Sequence, residues 1–251
     1  MDSPTNHIKT IAIMIAMEGE AEASIAEFNL RETILDNFQN LPMRVFSGDF
    51  QQVRLHIVIS GKDARYGVDN IGPLAASVGA QVVISTLQPD LLISAGTCGG
   101  FGEKGAEIGT VYLSDERFIF HDRRVPLAGF DQSNEGHYPA LNVRRMAADL
   151  NLKTGIVSSG SSLEKSSKDI DIIKKYNASC KEMEAAAVAW VAMLHRQAFI
   201  AIKSVTNLLD NSLASEDQFS RHFSIATVSL TENVRRVLNY CIGRTIGDLA
   251  G

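Results

Sequence analysis

The chain has 251 residues, 45% hydrophobic and 21% charged, with a net charge of −5 and a pI near 5.7. This balance predicts a globular protein with a sizeable core, one domain over residues 1–251 with residues 1–7 flexible. It excludes a basic footprint for nucleic acid or anionic lipid, and no apolar run is long enough to span a bilayer. The N-terminus does not read as a signal peptide, so a cytoplasmic protein with no nucleic-acid or membrane partner is expected. Cys98, Cys180 and Cys241 are too few and too far apart for a disulfide framework, and the histidines show no ligand spacing, so no metal is implied.

Residues 8–16 are almost continuously apolar and β-branched, the pattern of a strand covered on both faces. The chain then turns at Met17-Glu18-Gly19-Glu20 into a helix with Ala21, Ile25 and Phe28 on one face. Residues 43–50 and 53–60 predict a hairpin with Gly48-Asp49 near its turn, and residues 72–87 a helix packed closely on the sheet. Residues 89–95 form a second buried strand running into a glycine-rich stretch at 96–105. That stretch holds a literal G-x-G-x-x-G at Gly100, Gly102 and Gly105. A dinucleotide site needs a helix to begin there, and the strand pattern that follows argues against one, so no cofactor is expected.

Residues 117–136 read as a long polar loop suited to binding or subunit contact. A helix is predicted over 139–150, a strand over 154–159, a serine-rich turn to 162 and a helix over 168–176. In residues 180–194, Met183, Ala187, Trp190, Val191 and Leu194 fall at helical spacing and predict one buried face, with Glu182 and Glu184 in the first turn. A strand over 198–205 is interrupted by Lys203, and an amphipathic helix over 219–242 carries Phe223, Thr227, Leu230, Val234, Val237 and Cys241. Strands alternating with helices predict a three-layer α/β/α fold, its central sheet made mixed by the hairpin.

Glu18/Glu20, Thr97, Glu182/Glu184 and the stretch from Lys203 to Asn207 all lie just past strand ends, where ligands bind in open α/β sheets. Carboxylates, a hydroxyl, a cation and a carboxamide suit a sugar joined to a heterocycle. No P-loop lysine, G-x-S-x-G or Ser-His-Asp set supports kinase or esterase chemistry.

Four segments in order, A-M-E-G-E at 16–20, A-G-T-C-G-G-F at 95–101, E-M-E-A-A-A-V at 182–188 and K-S-V-T-N-L-L-D at 203–210, resemble the signatures of the 5′-methylthioadenosine/S-adenosylhomocysteine nucleosidases. These enzymes belong to the purine nucleoside phosphorylase superfamily. H-D-R-R-V-P at 121–126 and G-R-T-I-G-D-L at 243–249 look closest to the plant-type branch. The resemblance implies a homodimer that takes a purine nucleoside and hydrolyses its N-glycosidic bond, releasing adenine and a 5-thioribose in methionine salvage. It implies that Glu20 activates water beside Thr97, and that Glu184 and Met183 clamp the ribose hydroxyls with Glu182 and Lys203 nearby. By the same resemblance Leu163 touches the adenine face, Cys98, Gly99 and Thr206 belong to the substrate site, and Val125, Leu127 and Phe130 help line the 5′ pocket, partly from the neighbouring subunit. Phosphorolysis, the sibling chemistry, lacks its usual arginine, which is replaced by Ser94.

One departure stands out. The family pattern puts an aspartic acid, the proton donor to purine N7, where this chain has Asn207, which can donate a hydrogen bond but no proton. An engineered substitution and a natural residue of a paralogue that binds without catalysis both fit this change, and Asp210 is the nearest replacement acid. A second departure is Gly160-Ser161-Ser162 in place of the family's G-D-[AS] turn.

Overall fold

The computed structural model describes residues 6–250. Most of the segment predicted as flexible lies outside the described residues, but His7 pairs with Thr245, and the Ile8 N–H donates to the Arg244 carbonyl at 2.8 Å. The apolar N-terminal run forms β1 (Thr10–Ile15), and α1 (Glu18–Glu27) follows directly. The short β2 (Arg31–Thr33) was not legible in the sequence. The hairpin is β3 (Arg44–Phe50) and β4 (Val53–Ile59), turning at Gln51-Gln52, three residues beyond Gly48; Gln51 takes up the positive φ.

After α2 (Pro73–Leu87) comes β5 (Leu91–Gly100), which runs on through Gly96, Gly99 and Gly100 of the glycine-rich stretch. Only a one-turn 3-10 segment, Gly102–Lys104, separates it from β6 (Val111–Phe120), so no helix N-terminus faces a dinucleotide. The predicted loop over 117–136 is shorter than expected, because β6 uses its first residues and α3 (Asp131–Glu135) its last. The helix predicted over 139–150 narrows to α4 (Arg144–Asp149), preceded by β7 (Tyr138–Pro139).

Next come β8 (Lys153–Ser159) and α5 (Ser167–Lys175), whose N-terminus is closed by a reciprocal Ser166/Asp169 capping box. Then follow β9 (Cys180–Glu182), α6 (Ala185–His195), β10 (Phe199–Leu208), α7 (Ser215–Cys241) and α8 (Ile246–Ala250). Glu182 therefore ends a strand and Glu184 is the residue that caps α6; neither sits in its first turn. The predicted face of α6 is also wrong in part. Ala185 to Ala189, Val191 and Ala192 are buried, whereas Trp190 and Leu194 are 44% and 61% exposed. This helix is apolar all round, so spacing could not choose a face; small alanines allow close approach to the sheet, and the bulky side chains turn outward.

All ten strands join one mixed sheet. Strand β1 lies between parallel neighbours β4 and β5, with β3 and β2 extending that arm. Beyond β5 the sheet closes on itself: β5 pairs β10 and β9, β10 pairs β6, and β6 pairs β8, which pairs β9. A helix layer covers each face, giving the three-layer α/β/α fold. One face carries a core under α4, α7 and α8, including Met146, Leu230, Val234 and Leu249. The opposite core holds Ala80 and Val83 of α2 and the alanines of α6. Of the spaced residues of α7, Thr227, Leu230, Val234, Val237 and Cys241 are buried as expected.

Candidate active site

The carboxyl ends of β1, β5, β9 and β10 open onto one cavity of about 160 Å³. Glu20, Thr97, Cys98, Gly99, Leu163, Glu182, Met183, Glu184, Thr206 and Asn207 all line it. Lys203 sits behind the wall in an adjoining crevice shared with Glu20, Ser94, Gly96, Thr97 and Glu184. Sequence reasoning missed Ala16, Met17, Ile71, Lys181, Leu209 and Phe219. Ala16, Met17 and Leu209 lie inside the recognised motifs and Lys181 flanks one, so these four could have been found from them; Ile71 and Phe219 carry no chemical signature.

Glu20, one turn into α1, is 4% exposed. Its Oε1 accepts from the Thr97 N–H at 2.7 Å and the Thr97 hydroxyl at 2.6 Å. Burial pushes its pKa above the ordinary carboxylate value, while the two Thr97 contacts oppose the rise. The result is a desolvated, oriented carboxylate. Gly96 permits this approach, since a Cβ there would lie 3.4 Å from both Glu20 oxygens.

Glu182 is consumed by the scaffold. Its Oε2 pairs with Lys203 Nζ at 2.9 Å, it accepts from Ser159 Oγ, and it takes the N–H groups of Glu184 and Ala185 at the start of α6. Burial would raise its pKa, but the Lys203 ammonium and the Ser159 hydroxyl hold it below the ordinary value. Lys203 also donates to Ser94 Oγ at 3.1 Å, so its charge is already committed. Glu184 is different. Its Oε1 accepts only the Gly72 N–H among the described contacts, at 2.7 Å, and its enclosure together with the Glu182 charge raises its pKa to about 7.

Asn207 reaches the cavity through a bulge. Opposite β5, Val205 pairs with Cys98 and Asn207 with Gly99, leaving Thr206 as the extra residue. An extra residue bends a strand and re-aims its side chains. Helix α7 holds this end in place: Gln218 Oε1 accepts the Leu208 N–H at 3.0 Å, and His222 Nδ1 meets the Thr206 carbonyl at 3.1 Å. Asp210 is no substitute acid, because its carboxylate accepts the N–H groups of Gly102 and Glu103 at 3.0 and 2.7 Å.

The 121–126 motif anchors the turn that carries Leu163. His121 is buried with Nδ1 2.9 Å from Ser158 Oγ, and burial lowers its pKa to about 4, so the ring is neutral. Asp122 accepts the Ser161 N–H at 2.6 Å, and Arg124 pairs with Asp169 at 2.6 Å. Gly160 lies against the His121 ring, where an added Cβ would come within 2.2 Å of Nε2. Lys181 completes the hold by donating to the carbonyls of Ser162 and Leu163 at 2.5 and 3.1 Å.

Comparison with known proteins places this arrangement. The phosphorylase superfamily model matches residues 10–239. A 5′-methylthioadenosine nucleosidase of Arabidopsis thaliana is 37% identical over 96% of this chain and 91% of the relative. A 5′-methylthioadenosine/S-adenosylhomocysteine nucleosidase of the same plant is 35% identical over 96% and 95%. The solved structure of the Arabidopsis thaliana 5′-methylthioadenosine nucleosidase in apo form superimposes with a TM-score of 0.94, at 36% identity, covering 97% of this chain and all of the other. The chain belongs to the 5′-methylthioadenosine/S-adenosylhomocysteine nucleosidases of the phosphorylase superfamily. As a nucleosidase chain taken singly, it leaves Val125, Leu127 and Phe130 out of the cavity wall, 37%, 60% and 47% exposed. No group of residues that could hold a metal ion occurs among the described residues, and no described helix is long and apolar enough to cross a membrane.

Proposed function

We propose that the chain hydrolyses the N-glycosidic bond of 5′-methylthioadenosine, and of S-adenosylhomocysteine, with its turnover limited by Asn207. Glu20 takes a proton from water as the water oxygen bonds C1′. Thr97 orients the carboxylate. Glu184 and the Met183 backbone hold the ribose hydroxyls, Glu182 and Lys203 fix that segment, and Leu163 covers the base. The single observation that carries this reading is the Glu20 carboxylate, desolvated and oriented at one wall of the cavity that Asn207 enters from another. A carboxylate there repels phosphate, and Lys203 is neutralised by Glu182, so water is the nucleophile. The chain acts as a homodimer in which Val125, Leu127 and Phe130 extend the 5′ pocket of the neighbouring subunit. Three buried free thiols suit the reducing cytoplasm.

Asn207 also favours a second reading, a binding or storage protein that holds the nucleoside without cleaving it. Adenine release from methylthioadenosine by the parent and by Asn207→Asp separates the two. A positioned general acid is worth roughly 10²–10⁴-fold, and the variant is expected to gain at least about 100-fold. Two inert proteins that still bind the nucleoside would establish the binding reading.

A further inference from the structure

We infer that Lys165 is a positioning residue of this site. Its ammonium bolts the Leu163 turn to the chain leaving β10, and thereby sets how tightly the cavity grips a nucleoside. The inference rests on the nucleosidase reading above and concerns affinity, not bond breaking.

Lys165 is half-buried just before the Ser166 cap of α5, and it is not part of the cavity wall. Its Nζ donates to the Leu209 carbonyl at 2.5 Å and to the Asn211 carbonyl at 2.9 Å. Leu209 does line the cavity; it is 4% exposed, and its N–H donates to the Gly100 carbonyl at 2.7 Å, which locks it to the end of β5. Leu163, two residues before Lys165, lines the same cavity. One cation therefore spans two walls, the first carried by the turn after β8 and the second by the exit of β10.

The turn has little else to hold it in that place. Residues 161–164 are all exposed, so no buried apolar side chain fixes the segment, and a stretch with few buried apolar contacts opens easily. Its other tethers lead away from β10. Asp122 accepts the Ser161 N–H, Lys181 of β9 holds the Ser162 and Leu163 carbonyls, and the Ser166/Asp169 capping box closes α5. Among the described hydrogen bonds, only the two from Lys165 cross from the turn to the chain after β10. Bonds from an ammonium are also stronger than those between neutral groups. Without them the Leu163 wall is free to swing from Leu209. A side chain that shapes the cavity from outside touches no reacting atom, so its loss falls on ground-state and transition-state binding alike, which raises KM and spares kcat.

The test measures adenine release from 5′-methylthioadenosine, and adenine affinity by calorimetry, for the parent, Lys165→Met and Lys165→Arg. In Lys165→Met, KM and the adenine Kd are expected to rise about tenfold or more, the worth of a charged hydrogen bond. Its kcat should hold within about twofold. Lys165→Arg keeps the charge and the donors and should recover most of the affinity. A general loss of folded enzyme lowers the rate and leaves KM alone, so it does not imitate this result. Lys174→Met, which removes an exposed lysine of α5 paired with Glu103 at 3.6 Å, is the control and should leave KM unchanged. If Lys165→Met keeps the parent's KM and adenine affinity, or loses kcat alone, the inference is overturned and the nucleosidase reading stands. If the parent binds methylthioadenosine without cleaving it, the nucleosidase reading falls, and the affinity of Lys165→Met for that nucleoside decides the inference: weaker binding sustains it, equal binding overturns it. A parent that neither cleaves nor binds removes both.

Discussion

Glu184 carries the clearest pH dependence in the molecule. Its pKa is near 7, raised by enclosure and by the Glu182 charge, against an ordinary value of 4.5. Between those values the folded protein binds more protons than the unfolded chain, so stability falls as pH rises across the window and levels off above about 7. A glutamine keeps an acceptor for the Gly72 N–H and carries no charge. Glu184→Gln should therefore match the parent in Tm near pH 5 and exceed it progressively toward pH 8, by scanning fluorimetry. A Tm difference that stays flat with pH would refute the assignment. In the proposed mechanism, ionised Glu184 is also the form that accepts both ribose hydroxyls. The parent's kcat/KM should rise with pH through about 7, and the variant should lose about tenfold or more, the worth of a charged hydrogen bond.

At the scale of elements, Lys203 and Glu182 tie β10 to the end of β9 and to the start of α6 inside the sheet's closed part. Both are nearly fully buried, so removing one partner strands a charge. Lys203→Met should cost about 3–5 kcal/mol in urea unfolding, and adding Glu182→Gln should restore part of it. Additive losses in the double variant would show that the two side chains act independently. The pair also illustrates what the sequence could convey. A lone lysine in an apolar strand pattern marked Lys203 as special, the strands β1 and β5 announced themselves as unbroken apolar runs, and α7 did so by its helical spacing. The three residues of β9 are too few to form a pattern, and the ring through β5, β9, β8, β6 and β10 depends on pairings distant in sequence. Short motifs located most of the cavity wall because carboxylates and hydroxyls carry chemical meaning. The aim of Asn207 depends on the Thr206 bulge, which no alternation of apolar and polar residues encodes.

On the scale of the whole molecule, the outer surfaces of α2 and α6 expose a set of large apolar side chains. These helices pack side by side and expose Leu74 and Val78 from one, Trp190, Met193 and Leu194 from the other. Ile71, just before α2, is 48% exposed and also lines the cavity, so the apolar surface runs to the mouth of the site. Contiguous apolar surface of this kind suits an interface, and in the proposed homodimer a two-fold pairing of identical patches would cover it in both copies at once. The proposed dimer would account for the exposure of Val125, Leu127 and Phe130, which would then have a partner's cavity to extend. Leu74→Glu combined with Trp190→Glu should convert a dimer to a monomer by light scattering. A glutamate at 74 lies in the first turn of α2, where negative charge suits the helix, so loss of folding is not expected. The control is Val228→Glu, exposed on α7 across the sheet, which should leave the dimer intact. A parent that runs as a monomer removes the dimer altogether. If the engineered monomer raises KM for methylthioadenosine while retaining kcat, the neighbouring subunit completes the 5′ pocket; an unchanged KM would confine the whole site to one chain.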